Sequence, residues 1–450
     1  MSNFPKKSNG ERRRSVISGS SLAIVQMLVR LLIGFLSVPI TINYLGNERY
    51  GLWRTALSLI TFISVFDASI APQLKNRMSE AFAEGDEKKF KYYSSNGILL
   101  SLFLFIIGLI ISIFVANLRW DEILNVHDVE AAKEASGLVF VLMIFSFASV
   151  ATSSLETIYD ARMDFLIIRV YSIISSVLSF VILLISVRFQ VGLVILALVN
   201  TSGILLYRIF VLVRFLLIEP GYIIPTSFHM LDLVKEICSE SILFLGIRVL
   251  GVILSSIPNF LIARYIGLNE VTTFSVTYQL ISIPLLFISS VMPIIWPVFT
   301  IAWHKGEYSW LIYWIRNTLI IIASLMSIYG LTMMLFGENI IYFWTQGKVR
   351  VTVGIIALIS VLVLIQCFLN FMTTFLNSIR HIRIEFWSYL VSVMLLLLFF
   401  FILNPFSGME AMILSMIASL SLACLMPFSI HILRVFVKRN QQSRVDNPGS

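Results

Sequence analysis

Two arginines, Arg30 and Arg248, stand inside apolar runs long enough to cross a bilayer. An ionisable side chain at the centre of such a helix costs about 2.5–3.5 kcal/mol on insertion scales, so each needs a reason to be there. Following Arg30 at helical spacing gives Ala23, Gln26, Gly34, Ser37 and Thr41, a stripe of polar and small residues. Arg248 has Ser241, Gly251, Ser255 and Asn259 close to its own face. A guanidinium keeps its charge in proteins and presents a rigid fork of donors suited to carboxylate or phosphate. Aimed at one cavity, with Gln26 and Asn259 as polar neighbours, the two buried arginines would make a diphosphate-sized anion site. The bland alternative is that each pairs with a carboxylate or backbone carbonyl, or snorkels to the membrane interface. Neither helix places a carboxylate one turn away on the same face, although Glu240 lies eight residues before Arg248.

Three further residues join the candidates. Asp67, in the segment VFDASIAP, reads as a proton or sodium site, as the partner of Arg30 from the neighbouring helix, or as a helix-end acid near Pro72. Arg54 either extends a basic cavity or marks the interface. Pro258 removes an intrahelical hydrogen bond in the middle of an apolar run, which makes it a candidate bend for alternating access or a static kink. No enzyme constellation stands out. There is no glycine-rich phosphate loop, no Cys/His cluster with metal spacing, and hence no expected cofactor. His127, His229, His304, His381 and His431 are scattered over loops and helix ends, and the Gly19-Ser20-Ser21 run reads as a helix start. The three cysteines, Cys238, Cys367 and Cys424, lie in or beside apolar runs and imply no disulfide framework.

The elements that must position these residues follow from composition. The 450 residues are 58% hydrophobic and only 13% charged, with a mean hydropathy of +0.91. A soluble domain carries about 25% charged residues, so half the usual polar coat is missing. Apolar runs fall at 18–40, 52–74, 94–117, 137–158, 166–187, 191–213, 239–262, 273–298, 311–335, 353–376, 386–403 and 409–433. Runs of about 20 apolar residues must be helical in lipid, where every backbone group needs an internal partner. The expectation is an all-α polytopic membrane protein of about twelve spans. The first run is too long for a signal-peptide core of about 7–15 residues and is read as an uncleaved helix.

The net charge of +8 is concentrated at span ends. Lys6, Lys7, Arg12, Arg13 and Arg14 precede the first span, and Arg434, Lys438, Arg439 and Arg444 follow the last. Lys75, Arg77, Lys88, Lys89 and Lys91 gather in the loop after the second span, whereas the 118–136 loop is acidic. That distribution places both termini in the cytoplasm and argues for topology rather than nucleic-acid binding.

The chain also repeats itself. NYLG at 43–46 returns as RYIG at 264–267, offset by 221 residues, in the same setting between two apolar runs. The same offset lays AFAEGDEKKFKYY (81–93) over AWHKGEYSWLIYW (302–314), and TIYDARMDF (157–165) over SIRHIRIEF (378–386). Three echoes in one register indicate a duplicated six-helix unit. Six is even, so the two repeats are parallel, with a central cavity expected between them. The expected organisation is a basic tail at 1–17, an N-lobe at 18–213, and an inter-lobe linker at 214–236. A C-lobe at 237–433 and a second tail at 434–450 complete it. Under this offset Arg30 maps to Gly251, and Arg248 falls one turn away.

YLGNERYGLW, the SVFDASIAPQLKNRMSEAFAEGDEKKFKYY segment and the repeated Arg-Xaa-Asp/Glu-Phe corner resemble the bacterial polysaccharide flippases. These are the Wzx-type O-antigen transporters, of the superfamily that also holds the multidrug-extruding MATE proteins and the peptidoglycan lipid flippase. The family often shows Leu-Gly where this chain has Ala68 and Ser69. The resemblance implies a V-shaped pair of six-helix lobes in the bacterial inner membrane. It implies a flippase moving undecaprenyl-diphosphate-linked oligosaccharide from the cytoplasmic to the periplasmic leaflet, with the diphosphate in a cationic cavity. Arg30 matches the first-helix arginines of such cavities; Arg248 is a looser match. The implied partners are the lipid-linked oligosaccharide, the bilayer, a coupling proton or sodium ion, and polysaccharide polymerase machinery. The competing class is an ion-coupled exporter of small amphiphiles, which would want carboxylates in its cavity. A membrane glycosyltransferase or polymerase would need a larger outer loop than 118–136 provides.

Overall fold

The computed structural model describes residues 9–162, 164–218, 233 and 242–446. Among them every regular element is a helix, as lipid demands of backbone that has no water to bond. The chain divides into two compact units, Met1–Arg248 and Val249–Ser450. Most of the expected linker lies outside the described residues, as do Cys238, Glu240, Ser241 and both chain ends; helix runs on through Ile218.

In the first unit α1 covers Asn9–Ile60 and is broken at Gly46, whose φ of 76° and ψ of 174° are non-helical. A 3₁₀ turn at Thr61–Ile63 leads into α2, Ser64–Glu84. Then come α3 (Glu87–Ala116), a short α4 (Trp120–Ile123), α5 (Val129–Ala161), α6 (Phe165–Arg188) and α7 (Leu193–Ile218). Helix α8, Ile242–Tyr265, carries the boundary between units. The second unit continues with α9 (Leu268–Ile281), α10 (Ile283–His304), α11 (Tyr308–Trp344) and α12 (Val353–Ser378). Helix α13 (Ile382–Leu420) is broken at Gly408, and a π-helical turn at Ser421–Leu425 joins it to α14 (Met426–Asp446). Among the described residues ten helices are long and apolar enough to span a membrane, or eleven if α9 and α10, bent by 53°, form one span. That tally takes Ile24–Ile63 as a single stretch although Gly46 divides it. Counting its two limbs separately recovers the twelve expected spans.

Two of the expected spans are interrupted. The run 52–74 is crossed by the 3₁₀ turn, where the hydroxyls of Thr55, Ser58 and Thr61 donate to carbonyls three or four residues back. Such local bonds compete with regular helix geometry. The run 273–298 bends at Ser282, just before Pro284, which has no N–H to continue the ladder.

Each unit has its own core. Leu74, Met78, Phe90, Ile158 and Val211 meet between α2, α3, α5 and α7. In the second unit Phe375 stacks on Phe436 at 5.7 Å and receives the edge of Phe299. Small residues let helices close on each other: a Cβ on Gly108 of α3 would overlap the Phe147 ring of α5. Outside, Phe114, Leu335 and Phe343 are more than 70% exposed, and lipid is the solvent that makes this costless.

The duplication is written in the backbone. Left-handed φ occurs at Gly46 and Gly267, at Gly85 and Gly306, and at Asn125 and Gln346, each pair 221 residues apart. A positive φ is uncommon outside glycine, so the Asn125–Gln346 match is informative. The third sequence echo, however, is not a structural equivalence. Helix α5 ends at Ala161 and α12 at Ser378, while α6 and α13 open at Phe165 and Ile382, offsets of 217. Arg162 and Asp164 therefore sit in a turn, 3.8 Å apart, whereas Arg383 and Glu385 lie in the first turn of α13. One helical turn has been lost between the second and third landmarks.

Candidate functional site

Helices α1 and α6 pack side by side, and their contact carries a polar network. Gln26 and Arg30 are one turn apart on α1; Arg169 and Ser172 are one turn apart on α6. Gln26 is buried and uses both ends of its amide: Nε2 donates to Ser172 Oγ at 2.6 Å, and Oε1 accepts from Arg169 Nη1 at 2.9 Å. Arg30 Nη2 donates to the same Ser172 Oγ at 3.0 Å. Two guanidiniums are thus joined through neutral groups. Among the described residues neither has a carboxylate within ion-pair distance.

Glu156 on α5 is within electrostatic reach of Arg30, as are Arg169 and Arg208. Its carboxylate is already engaged, with Arg208 Nε at 2.7 Å and the Tyr207 hydroxyl on the same oxygen. Arg208 also reaches the Ser149 hydroxyl at 2.6 Å. Three arginines against one glutamate leave the cluster with an excess of positive charge. Each guanidinium offers five N–H donors, so Arg30 and Arg169 keep donors for a further acceptor.

Each of the other sequence candidates has its own surroundings. Both arginines expected to be buried are exposed: Arg30 presents surface beyond its Ser172 contact, and Arg248 lies exposed on α8, three residues before Gly251. The cost of sheathing a guanidinium explains this, since a charge is kept where water can reach it. Arg54 is half-buried on the second limb of α1, with Nε buried and no hydrogen-bond partner among the described residues. Asn259 Oδ1 accepts from Ser275 Oγ at 3.3 Å. Pro258 is buried within α8, which runs through it as a single helix. Asp67 belongs to α2, but its side chain lies outside the described residues. Along the Arg30 stripe, Ser37 and Thr41 return their hydroxyls to their own helix.

Arg169, Ser172, Glu156 and Arg208 escaped the sequence reading, although the signal that singled out Arg30 applied to them too. Each lies within an expected span, and Arg169 heads a polar stripe with Ser172, Ser176 and Ser179.

The turn NYLGNERYGLW has a structural task. Glu48 Oε1 accepts from the amides of His127 (2.7 Å) and Asp128 (2.8 Å), at the open N-terminus of α5. Arg49 pairs with Glu134, whose other oxygen accepts from Leu193 N at 2.9 Å where α7 begins. Tyr44 donates to the Val191 carbonyl. The turn ties the ends of three helices together.

Solved structures share this fold along nearly their whole length. An inward-facing multidrug resistance MATE family transporter of the MOP superfamily matches with a TM-score of 0.74 at 15% identity, covering 94% of this chain and 99% of that one. An outward-facing transporter of the same description matches at 0.67 and 15%, covering 97% and 99%. A MOP superfamily transporter from Pyrococcus furiosus, described as having a binding pocket of reversed polarity, matches at 0.61 and 15%, covering 97% and 100%. The protein is thus a multi-pass membrane protein with a MATE-like fold. No curated protein matches in sequence. The chain belongs to the polysaccharide biosynthesis protein family, whose model matches residues 16–303.

Proposed function

We propose that the protein is a flippase carrying an undecaprenyl-diphosphate-linked oligosaccharide, the repeat unit of a surface polysaccharide, from the cytoplasmic to the outer leaflet of a bacterial cytoplasmic membrane. The observation that carries this reading is the Arg30–Gln26–Arg169–Ser172 network. Like charges held together through neutral groups repel, and an anion with several oxygens relieves the repulsion while filling the remaining N–H donors. Exposed charge on a membrane-crossing helix faces a water-filled cavity rather than lipid, which supports a site open to a headgroup. Arg248 and Arg54 are further cationic candidates for contact with an anionic headgroup. Family membership supports a glycan cargo, and a fold shared with inward- and outward-facing transporters supports alternating access. The competing reading, ion-coupled export of small amphiphilic or drug molecules, would want carboxylates in the cavity, and the network is instead rich in arginine. The basic tails support cytoplasmic termini, which reporter fusions at each end would check.

The test is direct binding of inorganic pyrophosphate by the full chain in nanodiscs. Arg30→Ala and Arg169→Ala should each weaken it about tenfold or more, as expected for losing hydrogen bonds to a charged group. Lysine at 169 should retain part of the affinity, because it keeps the charge but not the fork. In cells each alanine variant should reach the membrane yet fail to support surface polysaccharide. A double alanine variant that binds pyrophosphate as tightly as the native chain would sink the proposal.

A further inference from the structure

The repeat asks what the second unit places where the first places its basic network. Offsets of 221 for the first helix and 217 for the fifth turn Gln26, Arg30, Arg169 and Ser172 into Ile247, Gly251, Phe386 and Tyr389. Every charge is gone. Tyr389 faces Gly251 across the α8–α13 contact, its ring edge 4.0 Å from where a Cβ on Gly251 would stand. Beside this pair a cavity of about 270 Å³ opens between α8, α9, α10, α12 and α13.

Its wall mixes apolar side chains with Ser255, Tyr278, Gln366, Asn370, Thr373 and Tyr389, and among the described residues includes no Asp, Glu, Lys, Arg or His. Tyr278 donates its hydroxyl to Gln366 Oε1 at 2.8 Å, which fixes the amide and leaves the Gln366 Nε2 donors without a partner among the described residues. Asn370 Nδ2 donates to Ser289 Oγ at 3.2 Å, and its Oδ1 is buried with no hydrogen-bond partner among the described residues. Pro258, one turn beyond Leu254 of the cavity wall, cannot supply the intrahelical donor that Leu254's carbonyl would otherwise receive. The cavity therefore offers the unmatched Gln366 amide donors and an aromatic ring, and Asn370 on its wall carries an unsatisfied carbonyl oxygen. An alkyl chain would leave those groups unsatisfied, which is costly, and a cation would find no carboxylate. Pockets for drug-sized ligands measure about 300–1,000 Å³, so this slightly smaller space suits one small polar ring.

We infer that this cavity is a sugar-binding subsite, taking one uncharged ring of the carried glycan through Asn370, Gln366 and the Tyr389 face. The inference rests on the flippase reading for the identity of the glycan, but its chemistry stands on the second unit alone. The test is saturation-transfer NMR on the full chain in nanodiscs with glucose, galactose, mannose and N-acetylglucosamine, and pyrophosphate binding measured in parallel. At least one sugar should bind. Asn370→Leu and Gln366→Leu should each weaken that binding about tenfold while pyrophosphate affinity and thermal stability stay unchanged. Using two variants guards against one failing to fold. Sugar binding that is absent, or indifferent to both substitutions, overturns the subsite, as does a sodium-dependent signal that the substitutions abolish. If sugar binding is lost while export in cells persists, the cavity serves free sugar and the assignment to carried glycan falls. Failure of the pyrophosphate arm alone strikes the diphosphate site and leaves this one standing.

Discussion

Arg49 and Arg30 carry the same charge in the same helix, yet their partners give them different tasks. Arg49 is 20% exposed at its side chain and held by Glu134, itself bonded to the start of α7. Arg49→Met should destabilise the protein by about 1–3 kcal/mol, since it strands a half-buried carboxylate, and pyrophosphate binding should be unaffected. Thermal unfolding in detergent would register the loss. Among the described residues Arg30 bonds only Ser172, a hydroxyl that already receives Gln26. Ser172→Ala should cost a few-fold in pyrophosphate affinity and also about 1–3 kcal/mol of stability, because it strands the buried Gln26 amide; the affinity loss is what separates it from Arg49→Met. The sequence marked Arg30 through the rarity of charge within a span. It was silent on Ser172 because a serine in an apolar helix is ordinary until its neighbour across the interface is known.

Helices meet here through small residues, and that makes some glycines intolerant of change. Gly108→Val should separate α3 from α5, because the Phe147 ring fills the space a side chain would take. Overpacking of this kind costs about 1–3 kcal/mol. Phe147→Ala in the same chain should restore part of the loss, measured again by thermal unfolding; no restoration would mean the two helices do not meet there. Helix existence was legible from apolar runs, and α12 matches its expected run within two residues. The bend at Ser282 is signalled in the sequence by Pro284. The interruption at Thr61 was not legible, because hydropathy reads side-chain character and is blind to hydroxyls turned back onto the backbone. The third repeat echo misled for a related reason: matching letters in a short corner outweighed a shift of one helical turn that only helix ends reveal.

Across the whole molecule the exposed surface is apolar. Leu325 and Ile328 on α11 are 61% and 65% exposed, positions that a soluble protein would give to polar residues. Lysine at either should lower the membrane-inserted yield, at about 2.5–3.5 kcal/mol near a helix centre, whereas alanine should be tolerated. Equal yields for lysine and alanine would show that this face does not meet lipid.

What the sequence determined by itself is whatever the chain encodes locally. Apolar length demands helices in a bilayer, and a turn that needs left-handed φ calls for glycine, so the 221-residue spacing of Gly46 and Gly267 and of Gly85 and Gly306 marks the duplication before any helix is packed. What tertiary structure decided is which charges and amides stand together. Arg30 meets a serine 142 residues away, and Asn370 and Tyr389 share a cavity with Gly251. Those neighbours depend on which helices touch and at what rotation. Helical periodicity gives each helix its stripe, but helix-to-helix packing alone decides whose stripe it faces.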